Sequence, residues 1–158
     1  LETYDAVGGV LLGSVPASGT FGFTLHMIRR YPLKWLKVGV TRSGYPFMET
    51  LAHAKYWLFS DQISDEEMVA FHPKLQDESF RIASDMMMLN LPKPKKVSTP
   101  IAVVAGGQDT VFSVGSLQQT AGAYGVEAKV FADMPHNLMG VPGWQEVADW
   151  IDTWIRTL

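Results

Sequence analysis

Two loops in this chain hold side chains whose types and spacing could do chemistry. The first, Gly106-Gly107-Gln108-Asp109-Thr110, follows the apolar run Ile101-Ala102-Val103-Val104-Ala105. The second, Asp133-Met134-Pro135-His136-Asn137, follows Val126 to Phe131 and puts His136 27 residues beyond Asp109. An acid and a histidine on adjacent strand ends of a parallel sheet can meet at its C-terminal edge. There the carboxylate accepts the imidazole N–H, fixes the tautomer and stabilises the imidazolium formed when the ring takes a proton from a nucleophile. The plainer alternatives are a loop histidine and an acid that caps the next helix, which Asp often does. Asp133 is the poorer partner, because it lies only three residues before His136 and would have to fold back.

The remaining candidates are weaker. His26, His53 and His72 lack ligand-like spacing, and the chain has no cysteine, so thiolate metal sites and disulfides are excluded. No metal or cofactor is expected. Asp65-Glu66-Glu67, behind Ser64, reads as the capped first turn of a helix and not as a catalytic acid pair. A serine nucleophile normally sits in G-x-S-x-G, a strained turn that exposes the hydroxyl and supplies an oxyanion donor. Ser14 has Leu12 and Pro16 at the glycine positions, Ser18 has Pro16 and Thr20, and Ser43 has Thr41 and Tyr45. Ser113, between Val111 and Gly115, is half a match. The nucleophile and oxyanion donors are therefore expected before Leu1 in a longer parent, or in a separate chain.

The elements that must position these loops alternate. Val7 to Val15 reads as a buried parallel strand closed by Pro16, with Gly8-Gly9 as close backbone packing. Its following loop, Ser14 to Gly19, leaves a strand end, where α/β enzymes place ligand contacts; Ser14 and Pro16 are candidate substrate contacts. Helices are expected over Phe21 to Tyr31, Pro46 to Phe59, Ser64 to Phe71 and Ser79 to Leu89, with breaks at Pro32, Gly44-Tyr45-Pro46, Pro73 and Pro92. The run Met86-Met87-Met88-Leu89 is core filler or a flexible floor under an apolar group; Met87 and, beyond His136, Met139 are further candidate contacts. After the prolines of Leu91 to Pro94 come a second strand, a helix to Tyr124 stopped by Gly125, a third strand, and an amphipathic helix from Trp144 with Val147, Trp150, Ile151, Trp154 and Ile155 on one face. Strands alternating with helices predict an α/β fold with a parallel sheet. Leu1 to Asp5 reads as a helix end. Three strands alone leave an open apolar edge, so further strands are expected upstream.

IAVVAGGQDTVF, VEAKVFADMPHNLM and GWQEVADWIDTWI resemble the closing third of α/β-hydrolase esterases and lysophospholipase-like enzymes, whose chain order is nucleophile, acid, histidine. The resemblance implies that Asp109 is a triad acid and His136 a triad base. It implies a C-terminal half of that fold, with residues 1–20 and 96–158 in the core and 21–95 as a mostly helical inserted lid. The implied activity is hydrolysis of a small carboxylic ester bearing an apolar group, together with the N-terminal half of the same fold. Two alternatives stay open. The nucleophile could be an aspartate, as in dehalogenases and epoxide hydrolases, with His136 activating water and Tyr45 or Tyr56 available to polarise an epoxide. Or the chain could be a non-catalytic module that pairs through its open sheet edge with a partner.

Bulk properties bound these readings. The 158 residues, 47% apolar and 18% charged, suffice for one ordinary core. Net charge is −3, with no basic field for a nucleic-acid backbone. No apolar run reaches the roughly 18 to 20 residues of a membrane helix, and the start does not read as a signal peptide. A cytoplasmic location is the expectation.

Overall fold

The computed structural model describes Glu2 and residues 6–158, apart from the Met88 side chain. The helix end expected over Leu1 to Asp5 falls, Glu2 aside, outside them. Three strands, β1 (Gly9–Leu12), β2 (Ile101–Gly106) and β3 (Ala128–Phe131), form one parallel sheet in the order β1-β2-β3. All six residues of β2 are buried, which is why its sequence shows no polar alternation: both faces are covered. Successive side chains point to opposite faces. Val10, Leu12 and Val104 therefore enter one apolar cluster, while Leu11, Ile101, Val103 and Ala105 enter another.

The described residues include seven α-helices, and the chain is mixed α/β. α1 (Phe21–Arg30), α2 (Pro32–Thr41), α3 (Leu51–Phe59), α4 (Asp65–Phe71) and α5 (Phe80–Ser84) all lie between β1 and β2; α6 (Val114–Ala123) and α7 (Trp144–Ile155) follow. α6 covers the second cluster through Leu117 and Ala121. α7 covers the first through Val147, Trp150 and Ile151, whereas Ile155 is exposed. Ala54, Phe59, Ile63 and Met68 bring α3, α4 and their connection into that same first cluster, against Val104 and Leu138.

Local chemistry sets the helix starts. Ser64 and Glu67 make both bonds of a capping box: the Ser64 hydroxyl accepts from the Glu67 N–H (3.1 Å) and the Glu67 carboxylate accepts from the Ser64 N–H (2.8 Å). Several elements differ from the sequence expectation. Pro32 does not merely break α1; it occupies the first turn of α2, where its missing N–H costs nothing. The helix expected over Pro46 to Phe59 is split into a 3-10 turn, Tyr45–Phe47, and α3, because Thr50 takes extended backbone and caps α3 through the His53 N–H. α5 widens into a π turn over Asp85–Leu89. β1 and β3 are shorter than the apolar runs that contain them.

One polar contact ties α2 to α3. Lys34 Nζ donates to the Pro46 carbonyl (2.9 Å) and to His53 Nδ1 (2.9 Å). An ammonium has no lone pair, so Nδ1 must accept, and His53 is neutral with its proton on Nε2. Burial, and then the Lys34 charge, hold the His53 pKa below its ordinary value. The unfolded chain then takes up this proton first as pH falls, at about 6.5. The contribution of His53 to stability is complete above that pH and is lost as pH drops toward the folded value. His53→Asn, which keeps an acceptor near Nδ1 but cannot titrate, should flatten the fall in Tm between about pH 7.5 and 5. Parallel Tm-versus-pH curves for both proteins would contradict this.

Candidate functional site

The parallel pairing of β2 and β3 aligns Gly106 with Phe131, so the loops that leave both strands emerge side by side. Two backbone bonds carry the alignment past the strands: Gly107 N–H to the Phe131 carbonyl (2.8 Å) and Gln108 N–H to the Met134 carbonyl (2.9 Å). Gly106 and Gly107 are both points of close approach, Gly107 to Ala132 and Gly106 to the histidine loop itself. A Cβ on Gly106 would fall inside contact distance of the Met134 and Pro135 carbonyl oxygens, so only glycine lets the histidine loop lie on the end of β2.

The Asp109 side chain is fully buried and its carboxylate has three donors. Oδ1 accepts from the N–H groups of Val111 (2.7 Å) and Phe112 (2.9 Å); Oδ2 accepts from His136 Nδ1 (2.9 Å). An ionised carboxylate only accepts, so His136 donates from Nδ1, which in the neutral ring leaves the lone pair on Nε2. Among the described residues Nε2 has no hydrogen-bond partner. The His136 side chain keeps 22% exposure, and the Phe112 ring meets it edge-on at 5.6 Å.

The end of α3 holds both loops. Thr110 Oγ1 donates to the Tyr56 carbonyl (3.0 Å), and the Asn137 N–H donates to the Leu58 carbonyl (2.8 Å). Ser60 Oγ donates to the Gln108 carbonyl (2.5 Å), and Gln62 Nε2 to the Asp133 carbonyl (2.8 Å). Ser60 (φ 48°) and Asp61 (φ 62°) are left-handed, uncommon for residues with a Cβ; the turn they make delivers Ser60 and Gln62 to the loops.

His136 lines a cavity of about 640 Å³ with Gly13, Thr20, Phe23, Leu58 and Phe112. Its volume is that of a small-molecule site. Asp77 lines the same cavity, held below the usual carboxylate range chiefly by the Ser43 hydroxyl. An adjoining apolar cavity of about 260 Å³ shares Phe23, Met48 and Val111 with it and continues between Met27, Trp35 and Trp57.

The structure thus brings Asp109 and His136 together and spreads the other candidates. Met87 lines the apolar cavity. Pro16 is buried. Ser14 keeps a buried hydroxyl with no hydrogen-bond partner among the described residues. Met139 is 60% exposed and lines neither cavity. Sequence reasoning missed the roles of Phe112, Ser60 and Gln62. Phe112 could have been found as the aromatic three residues after the acid; the other two act on backbone carbonyls, for which a sequence holds no signal. Among the described residues no cluster of three or more His, Asp or Glu could hold a metal ion. No family model, curated protein or solved structure matches the chain.

Gly106→Ala tests the packing that joins the loops. It should cost about 1–3 kcal/mol by overpacking and push the histidine loop off β2, moving the His136 Nδ1–H resonance upfield as its bond to Asp109 lengthens. Unchanged stability and an unchanged resonance would contradict the assignment.

Proposed function

We propose that this chain is the C-terminal part of an α/β-hydrolase that cleaves a carboxylic ester bearing an apolar group. Asp109 and His136 act in it as triad acid and base, with α1 to α5 as a helical lid. The observation that carries the reading is the His136 Nδ1–Asp109 bond, with a buried carboxylate behind it and an unpartnered Nε2 on the other side. In this reading a serine attacks the ester carbonyl and its proton passes to Nε2. Asp109 stabilises the imidazolium, which then protonates the leaving alcohol; water repeats the sequence to release the acid. The apolar cavity that adjoins the one lined by His136 suits the acyl or alcohol chain.

The serine comes from an N-terminal half of the same fold. The free edge of β1 supports this: among the described residues β1 pairs with β2 alone. The strand bearing the nucleophile elbow would add there, in parallel, and bring its C-terminal end to the same side as the His136 loop. That edge also keeps in view a second reading, a non-catalytic module completed by a partner's strand.

The test uses a polypeptide that extends upstream of Leu1, with a fluorophosphonate probe and a chromogenic ester. One serine should be labelled. Asp109→Ala and His136→Ala should each lower turnover by on the order of 10⁴-fold, with binding of a non-hydrolysable analogue largely kept. Turnover within a few-fold of the parent in both variants would overturn the proposal. Turnover without serine labelling, through an enzyme-bound acyl–aspartyl anhydride, would replace the serine by an aspartate.

A further inference from the structure

α2 has two apolar sides. Trp35 and Val38 face inward and line the apolar cavity, and Val38 is buried. Leu33, Leu36 and Val40 face solvent, exposed by 80%, 66% and 78%. At 3.6 residues per turn these three positions fall within roughly 60° of one another, a stripe along the helix. Ile28, near the end of α1, is also exposed. A stripe of this kind on a helix whose opposite side is already packed marks an interaction surface, because scattered single residues do not align.

Charge selects the partner. Residues 21–42 contain Arg29, Arg30, Lys34, Lys37 and Arg42 and no Asp or Glu, although the chain as a whole is net −3. Lys34 is turned inward to His53, and Lys37 pairs with Glu49 at 2.8 Å across the surface. Among the described residues Arg29, Arg30 and Arg42 make no ion pair. A second copy of this face would set cations against cations. A nucleic acid would leave the central leucines in water. An anionic lipid surface satisfies both features, taking the apolar stripe among its acyl chains and the arginines among its headgroups.

We propose that the outer face of the α1–α2 hairpin docks on an anionic membrane surface. No helix in the described residues is long and apolar enough to cross a bilayer, so α2 lies in the interface plane. The inner face of the same helix walls the apolar cavity, so docking sets that cavity one helix diameter from the lipid. The proposal concerns this face alone and stands whether or not Asp109 and His136 work in hydrolysis.

Vesicle co-sedimentation of the 158-residue chain tests it, with phosphatidylcholine alone and with about 30 mol% phosphatidylglycerol. Binding should be at least about tenfold tighter to the anionic vesicles and weaken with salt. Arg29→Gln with Arg30→Gln should lower it about tenfold. Leu33→Gln with Leu36→Gln and Val40→Gln should reduce it to the level of neutral vesicles, with circular dichroism unchanged. Ile155→Gln, an exposed apolar residue on α7, should leave binding unaltered. Equal binding to both vesicle types, or wild-type binding by the triple variant, would overturn the proposal. So would a dimer that the triple variant dissolves, in the absence of vesicle binding: the occupant would then be a second copy.

Discussion

The rest of the site depends on one buried charge. A carboxylate withdrawn from water is costly unless its lone pairs are filled. Asp109 has two donors from its own loop and a third from a loop on another strand, and that third donor is His136. The two loops are therefore not independent. Moving the histidine away would leave a buried carboxylate oxygen without its partner, a loss larger than that of an ordinary hydrogen bond. The same bond fixes the proton on Nδ1, so the electrostatic requirement of the acid determines which nitrogen of the base is free. The backbone donors fill one carboxylate oxygen and so turn the other toward the imidazole.

Around that bond the fold supplies position without adding chemistry. Parallel pairing at Gly106 and Phe131 brings the loops to one edge, and the end of α3 ties each loop to the helical segment. Those ties run almost wholly to main-chain carbonyls. The buried core of α3 and α4, through Phe59 and Met68, is shared with Val104 of the sheet. The helices that hold the loops are thus continuous with the core, and α1 reaches it through Phe23, whose ring lies 5.9 Å from that of Phe112.

Much of this arrangement was legible in the sequence, and the parts that were not share a cause. Ile101 to Ala105 reads as a buried strand because it is apolar at every position, and Ser64 reads as a helix start because it is an N-cap residue with Asp65, Glu66 and Glu67 in the first turn behind it. Asp109 and His136 stood out because each follows a strand and each is a residue type that moves or holds protons. Their 2.9 Å separation was not legible, since it follows from a strand register that no local pattern encodes. α2 was hidden because proline reads equally as a stop for one helix and a start for the next. Leu33, Leu36 and Val40 would pass for core in any sequence reading; only the structure separates the apolar side that is covered from the side that is not.

The acid–histidine pair and the sheet edge make different demands on the chain. The pair is completed by β2, β3 and α3, all inside the described residues, and its geometry needs nothing from the far side of β1. A nucleophile is different. Gly13 brings β1 to an end beside the His136 loop, yet no hydroxyl from that loop meets Nε2, and the Ser14 hydroxyl is buried without a partner. The next strand outward from β1 is the nearest position from which a side chain could approach Nε2 while its backbone remained in the sheet. In the proposed hydrolase, the backbone groups of Gly9–Leu12 that face away from β2 and the unpartnered Nε2 of His136 would meet the same added element. One parallel strand ending in a sharp turn would satisfy both.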